Sequence, residues 1–290
     1  MLCYLNGKLV DKAGAVVGVE DRGFLFGDGV YEVWRVVNGR LFEMERHLER
    51  LVSGLRELRI DAPDVIRADV LGGVAEQLLA SGGLLEGEAT VYLEITRGAA
   101  PRAHAFPSAG TSPTVFMMAN RFVPPNELRG RGAAAITIED IRWLRCDIKT
   151  IQLLPNVLAK QAAAERGAME AIMVRDGIVT EGSHANVLGV LDGVIRTHPT
   201  TNLILPGVTR AVVLDIARRL DIPVSEMALH VRDLPRLDEL FIVGTTSDVM
   251  PIVRLNDTPV GGGRPGPIAR QLYSEFRAHM DACCGVAPVG

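Results

Sequence analysis

Four short pairs, Asn6-Gly7, Asn38-Gly39, Asp176-Gly177 and Asp192-Gly193, limit most strongly what this chain can fold into. Each tolerates the positive φ angles of a two-residue hairpin turn, and each stands between β-rich runs, so each predicts a pair of antiparallel strands. "VYEVWRVVNGRLFEM" (30–44) and "NVLGVLDGVIRTH" (186–198) therefore read as hairpins. The same signal disfavours a doubly wound parallel sheet.

Helical periodicity fills the intervals. Leu48, Leu51, Leu55 and Leu58 in "MERHLERLVSGLRELRI" recur at steps of three and four and mark one buried face. "LPNVLAKQAAAERGAM" opens on Pro155, a first-turn residue, and ends at Gly167, a C-cap. "IARQLYSEFRAHM" repeats Ile268, Leu272, Phe276 and Met280 and reads as a closing helix, after which "CCGVAPVG" (283–290) reads as a frayed end. "NRFVPPNELRGRG" (120–132), with two prolines, two glycines and several charges, is the linker candidate. The expectation is a mixed α/β (α+β) chain with an N-terminal domain at 1–119, a C-terminal domain at 133–290 and largely antiparallel or mixed sheets.

Composition removes several function classes. The 290 residues carry a formal net charge of -4, so no basic field is available to attract nucleic acid or an anionic membrane. No apolar run approaches the ~20 residues of a bilayer span, and the first residues do not read as a signal peptide. Cys3, Cys146, Cys283 and Cys284 fit neither a zinc site nor a disulfide framework, and the six histidines show no metal-ligand spacing. A reducing, cytoplasmic setting without metal chemistry is expected.

One amine draws attention. Lysine occurs at Lys8, Lys12, Lys149 and Lys160 only, and Lys149 stands in "RCDIKTIQLL" among Ile148, Ile151, Leu153 and Leu154. Either its stem packs while its head reaches water, or it is an amine kept neutral by burial and by neighbouring Arg142 and Arg145, able to form an imine with a carbonyl. The second reading suggests pyridoxal phosphate, which needs a phosphate cup, a carboxylate at its ring nitrogen and a clamp for the substrate's acid group. Gly207, Val208 and Thr209 stand at the mouth of the helix in "ILPGVTRAVVLDIARRL", where unpaired amides attract an anion or a plain turn enters a helix. Thr245, Thr246 and Ser247 follow the apolar strand "ELFIV", and Arg50 lies off the leucine face of its helix. Glu181 in "IVTEGSHAN" is a ring-nitrogen partner or an exposed turn residue; Arg102 and His104 in "TRGAAPRAHAF" are a carboxylate fork or loop decoration; Tyr31 is a ligand or a core aromatic. Residue types leave each of these pairs open.

Taken together, "EDRGFLFGDGVYEV", "HLERLVSGL", "TRGAAPRAHAFP", "EDIRWLRCDIKTIQLLPNVLAKQAA", "TEGSHANV", "LPGVTR" and "DELFIVGTTSD" resemble the fold type IV pyridoxal phosphate enzymes, and within them the D-amino-acid aminotransferases. The resemblance runs through essentially the whole chain. It implies that Lys149 is the Schiff-base lysine and that Glu181 faces the pyridine nitrogen. It implies a phosphate cup of Arg50, the backbone of Val208 and Thr209, and Gly244 with Thr245, with Leu205 behind the ring. Tyr31, Arg102 and His104 match the family's substrate-carboxylate trap, Arg102 and His104 being similar to residues that reach in from the second subunit of a homodimer. The implied activity is ping-pong transfer of amino groups from D-amino acids such as D-alanine and D-glutamate to 2-oxo acids such as 2-oxoglutarate and pyruvate. Branched-chain L-aminotransferases, (R)-amine transaminases and aminodeoxychorismate lyases share the fold and are the alternatives. His184 and Ala185 stand where the family favours serines, and Gly244 where a phosphate-binding serine is common.

Overall fold

The computed structural model describes residues 1–108 and 110–286. The chain divides into two compact units. The first holds Met1–Val123, Ile148–Gln152 and the chain from Asp281; the second holds Pro124–Asp147 and Leu153–Met280.

In the first unit the elements are β1 (Leu2–Leu5), β2 (Lys8–Asp11), α1 (Arg22–Phe26), β3 (Gly29–Val37), β4 (Arg40–Leu41), α2 (Met44–Leu58), α3 (Ala68–Ser81), β5 (Glu88–Thr96) and β6 (Thr114–Arg121). They build a six-stranded sheet in the order β2-β1-β6-β5-β3-β4, with every pairing antiparallel. Trp34, Leu93 and Met117 of the sheet share one core with Leu51 and Leu55 of α2 and Leu71 and Leu78 of α3. Full burial of each such side chain stabilises the unit by about 1.5–3 kcal/mol. Helix α2 stops at Arg59, whose φ of 54° is left-handed, and buried Ile60 folds back to donate its N–H to Leu55.

Short β4 covers the outer edge of β3 only at Val36 and Val37. Farther back along that edge the segment 148–152 takes its place. The Tyr31 N–H donates to the Lys149 carbonyl (3.0 Å) and the Ile151 N–H to the Gly29 carbonyl (3.1 Å), and Val30 bridges Thr150 in antiparallel sense. Lys149, expected in the C-terminal half, is thus carried by the first unit. Unsatisfied edge groups of β3 explain why the chain returns there.

The second unit contains α4 (Asn126–Arg131), β7 (Ala133–Glu139), α5 (Leu154–Glu165), β8 (Glu170–Arg175), β9 (Ile178–Gly182), β10 (Asn186–Leu191), β11 (Val194–Thr197), α6 (Val208–Arg219), β12 (Val224–Ser225), β13 (Glu239–Gly244), β14 (Asp248–Leu255), β15 (Thr258–Pro259) and α7 (Pro267–Cys283), which it holds as far as Met280. Its strands run β12-β11-β10-β13-β14-β7-β8-β9, with β15 on β14. Pairs β11–β12, β14–β7 and β7–β8 are parallel and the rest antiparallel. The mixed α+β architecture matches the expectation.

All four hairpin pairs hold positive φ at both positions, from 46° to 53° at the Asn or Asp and from 74° to 91° at the Gly. The linker stretch 120–132 differs from a structureless connection, because its second half is α4. Pro124 and Pro125 end the preceding strand, Glu127 stands in the first turn, and Arg129 and Arg131 stand in the last, charges that suit the helix dipole. At the other end the chain stays helical through Cys283, and Cys284 is buried; of the end expected to fray, residues 287–290 lie outside the described residues. Among the described residues no helix is long and apolar enough to cross a membrane.

Candidate active site

The first unit places Lys149 by alternation. In an extended segment successive side chains face opposite ways. Ile148 and Thr150 are accordingly buried, with Ile148 in the core of this unit, while Lys149 is half-buried. Its Nζ stands 4.1 Å from the centroid of the Tyr31 ring, a cation–π distance. Tyr31 leans in turn on Tyr92, with ring centroids 5.7 Å apart. Arg145 pairs with Asp147, and Arg142 is held by Asp140 and Glu181. The two arginines expected to act on the lysine are therefore committed to carboxylates.

Arg50 is not a solvated helix residue. It forks onto Glu32 through Nε to Oε1 (2.7 Å) and Nη2 to Oε2 (2.9 Å). The same carboxylate meets His47 Nδ1 at 2.8 Å. Burial penalises the Glu32 charge, but the Arg50 charge and the bonds from His47 and Arg50 hold its carboxyl well below the usual range. Burial pushes His47 down, aided by the charges of Arg50 and Lys149, and Glu32 opposes the shift. The charges of Lys149 and Arg50 thus act on His47, while His47 and Arg50 share the one buried carboxylate of Glu32.

The second unit builds a polar nest around Glu181. This residue is the last but one of β9 and is buried, so the exposed-turn reading is set aside. Its Oε2 accepts from Asn186 Nδ2 and from the Leu205 N–H, both at 3.1 Å, and Arg142 Nη1 donates to Oε1. Asp140 fixes Arg142 with bonds of 2.9 Å at Nε and 2.7 Å at Nη2; Thr180 and Arg175 complete the coordination of Asp140. Burial pushes the Glu181 carboxyl up to about 7, against the pull of Arg142 and the Leu205 amide.

Gly207 opens α6 with φ -69° and ψ 130°; no side chain caps the helix and no acidic residue stands in its first turn. The amides of Val208 and Thr209 are thereby left for an anion. Gly207 is required by a close approach, since a Cβ there would lie 2.0 Å from Asn186 Oδ1. Asn186 also donates to the Leu205 carbonyl at 3.0 Å, so one side chain joins Glu181, Leu205 and the mouth of α6. Gly244 and Thr245 begin the turn after β13, closed by the Ser247 N–H on the Gly244 carbonyl (3.1 Å). Arg129 grips this turn from behind, bonding the Ser247 carbonyl (3.3 Å) and Asp248 (3.0 Å).

Of the expected carboxylate trap, the chain brings Arg102 and His104 together on Phe26, at 5.3 Å and 5.7 Å from its ring, while Tyr31 lies with Lys149 and Tyr92. His184 and Ala185 diverge from the serine pattern. His184 Nδ1 stands 3.1 Å from Glu170 Oε2, Ser183 bonds the other oxygen of Glu170, and Ala185 is buried.

Glu32 and His47 in the first unit, and Asp140 and Asn186 in the second, are partners that the sequence reading did not name. Glu32 had a signal, a carboxylate in register with Val30 and Trp34 on the buried face of β3; His47 falls on the stripe of Leu51 and Leu55. The donors suit pyridoxal phosphate: a half-buried primary amine, a buried carboxyl poised near neutrality, an uncapped helix mouth and an arginine fork.

The family profile described as Amino-transferase class IV matches residues 29–255. The chain is 42% identical over 287 residues to a D-alanine aminotransferase of Listeria innocua, covering 98% of each chain. It is 39% identical over 279 residues to a D-alanine aminotransferase of Staphylococcus haemolyticus, covering 96% of this chain and 98% of the relative. Among solved structures, the branched-chain amino acid aminotransferase of Escherichia coli superposes with a TM-score of 0.88 at 25% identity, covering 99% of this chain and 96% of the other. The branched-chain aminotransferase of the archaeon Thermoproteus uzoniensis with norvaline gives 0.85 at 28%, covering 99% and 95%.

Proposed function

The chain belongs to the class IV amino-transferase family, and from that premise we propose that it transfers amino groups from D-amino acids to 2-oxo acids with pyridoxal 5'-phosphate. The observation that carries the D-specific reading is identity of 39% and 42% to D-alanine aminotransferases over nearly the whole chain. Branched-chain aminotransferases are similar at 25% and 28%, a weaker likeness for the rival substrate class.

When bound, pyridoxal 5'-phosphate supplies an aldehyde that bonds reversibly to primary amines and a protonated ring that takes up electrons released at the substrate's α carbon. Arg50, the amides of Val208 and Thr209, and Gly244 with Thr245 take its phosphate. Leu205 backs its ring. Glu181 holds the proton on the ring nitrogen, and Arg142 and Asn186 keep that carboxylate aimed. Lys149 would hold the aldehyde through its Nζ, and the same Nζ, when free, would be the base that takes the substrate's α proton and gives it back. The first 2-oxo acid leaves before the second enters.

Tyr31, Arg102 and His104 clamp the substrate carboxylate so that the α hydrogen of a D-amino acid faces Lys149. Within the chain Arg102 and His104 gather on Phe26 while Tyr31 lies with Lys149 and Tyr92, and a homodimer would complete the trap. Exposed Val16, Val19, Phe24 and Phe106, at 81%, 79%, 77% and 47% of full exposure, are apolar surface of the kind a subunit covers. Four cysteines outside any disulfide suit a reducing cytoplasm.

A panel of D- and L-amino acids and simple (R)-amines against 2-oxoglutarate and pyruvate tests the reading. D-alanine with 2-oxoglutarate should exceed every L-branched-chain donor. Preferential use of L-leucine, or pyruvate release from aminodeoxychorismate in place of amino transfer, would overturn it.

A further inference from the structure

The stretch "EDRGFLFGDG" contributes no residue to the chemistry above, yet through Arg22 it bonds three carbonyls of the Arg102–His104 loop. That loop needs an external fixture. Residues 101–106 are exposed and belong to neither helix nor strand, so neither a ladder nor a core sets their backbone.

Arg22 supplies the fixture. Its side chain is buried, at 4% of full exposure. Its Nη1 donates to the Ala103 carbonyl at 2.6 Å and the Ala105 carbonyl at 3.4 Å, and its Nη2 to the His104 carbonyl at 3.5 Å. Three successive carbonyls of the loop thus converge on one planar guanidinium, a geometry that a lysine's single ammonium cannot copy.

Asp28 holds the guanidinium from its other side, accepting from Arg22 Nε at 2.8 Å. Arg97 grips the same carboxylate through Nε (2.8 Å) and Nη2 (2.9 Å), and anchors itself on the Leu58 and Arg59 carbonyls at 2.7 Å and 2.8 Å. Burial penalises the Asp28 charge, and bonds from Arg97 and Arg22 more than offset it. The loop backbone is therefore tied, through Arg22, Asp28 and Arg97, to the end of α2. Phe26, one turn on from Arg22, carries the Arg102 and His104 side chains on its ring, and the Arg22 guanidinium lies over that ring at 4.7 Å from its centroid.

We infer that Arg22, braced by Asp28, is a positioning residue for recognition of the substrate carboxylate: it sets the backbone from which Arg102 and His104 project. The inference rests on the reading of Arg102 and His104 as the trap. It assigns Arg22 no part in holding the cofactor or in moving protons.

The test compares Arg22→Met, Arg22→Lys and Asp28→Asn, made singly and in an Arg102→Ala background, in the full-length loaded enzyme. KM for D-alanine and for 2-oxoglutarate should rise about tenfold in Arg22→Met and less in Arg22→Lys, with kcat within about twofold of the parent. The dissociation constant of propionate, an unreactive carboxylate, should rise in parallel by calorimetry, while that of pyridoxal phosphate stays within about twofold. In the Arg102→Ala background the same substitutions should add less to either carboxylate constant than in the parent, the remainder acting through His104. Unchanged propionate binding, a pyridoxal phosphate constant that rises as steeply, or full additivity with Arg102→Ala would overturn the assignment. Should Arg22→Met fail to fold, Asp28→Asn, which keeps the side-chain shape, decides the question. Failure of the trap reading is separately visible, because Arg102→Ala alone would then leave D-alanine KM and propionate binding unchanged.

Discussion

Lys149 Nζ lies 4.1 Å from the centre of the Tyr31 ring, and the Tyr31 N–H donates to the Lys149 carbonyl at 3.0 Å. The amine is therefore placed by β3 together with its buried neighbours Ile148 and Thr150. Borohydride reduction of the loaded protein should label Lys149 and leave Lys8, Lys12 and Lys160 clean on peptide mapping. Lys149→Ala should lower turnover by at least ~10³-fold, since proton transfer by such a group is worth about 10²–10⁴. A label at any other lysine would remove the assignment.

Glu181 titrates near neutrality because burial outweighs Arg142. Its folded value, about 7, lies above the ordinary 4.5. The sign follows from linkage: a raised acid favours the folded state while protonated, so that contribution is complete below about 4.5 and is lost as pH rises through about 7. In the cofactor-free protein, Glu181→Gln should flatten the decline of Tm between these limits. In the loaded enzyme it should cut kcat by about 10²-fold. Parallel Tm–pH curves for both proteins would count against the first claim.

Glu32 behaves oppositely. Its carboxyl is held below the ordinary 4.5 despite burial, by Arg50 and His47, so its stabilising contribution is present above 4.5 and fades as pH falls below it. Urea midpoints at about pH 6 and about pH 4 should show a smaller acid loss for Glu32→Gln than for the parent. Because Arg50 then loses half its seat, pyridoxal phosphate should also bind more weakly.

Two glycines near the proposed phosphate cup should respond differently. A Cβ on Gly244 would meet its nearest neighbours at 3.5, 3.6 and 3.8 Å, ordinary contact, so Gly244→Ser should fold normally. Its new hydroxyl should tighten cofactor binding by about two- to tenfold, the worth of one hydrogen bond. Gly207→Ala should instead displace Asn186 and weaken binding. Calorimetric titration of the cofactor-free variants reads both, and a weaker Gly244→Ser complex would refute the first.

Arg129 bonds the Ser247 carbonyl and the Asp248 carboxylate behind the turn at Gly244 and Thr245. Arg129→Met should raise the dissociation constant of pyridoxal phosphate about tenfold at unchanged KM for D-alanine. A shift confined to KM would contradict this role.

Much of the fold was legible because its signals are local. Asn-Gly and Asp-Gly pairs need nothing distant to adopt their φ angles, and the stripe of α2 shows within one helix. The parallel position of β7 between β14 and β8 left no such trace, since it is fixed by strands far along the chain. The site divides similarly. The family resemblance pointed to Arg50 and Glu181, but the partners that orient them come from elsewhere: Glu32 stands 18 residues from Arg50, and Arg142 stands 39 from Glu181. Arg142 misled for that reason; its positive charge was visible in the sequence, whereas its pairing with Asp140 and Glu181 was not.

The return of residues 148–152 to β3, with the chain on either side assigned to the other unit, bears on engineering. A cut between Val123 and Pro124 would give a first fragment lacking the strip that carries Lys149. The halves are consequently not interchangeable cassettes, and chimaeras between relatives should be joined so that this five-residue strip keeps its original β3.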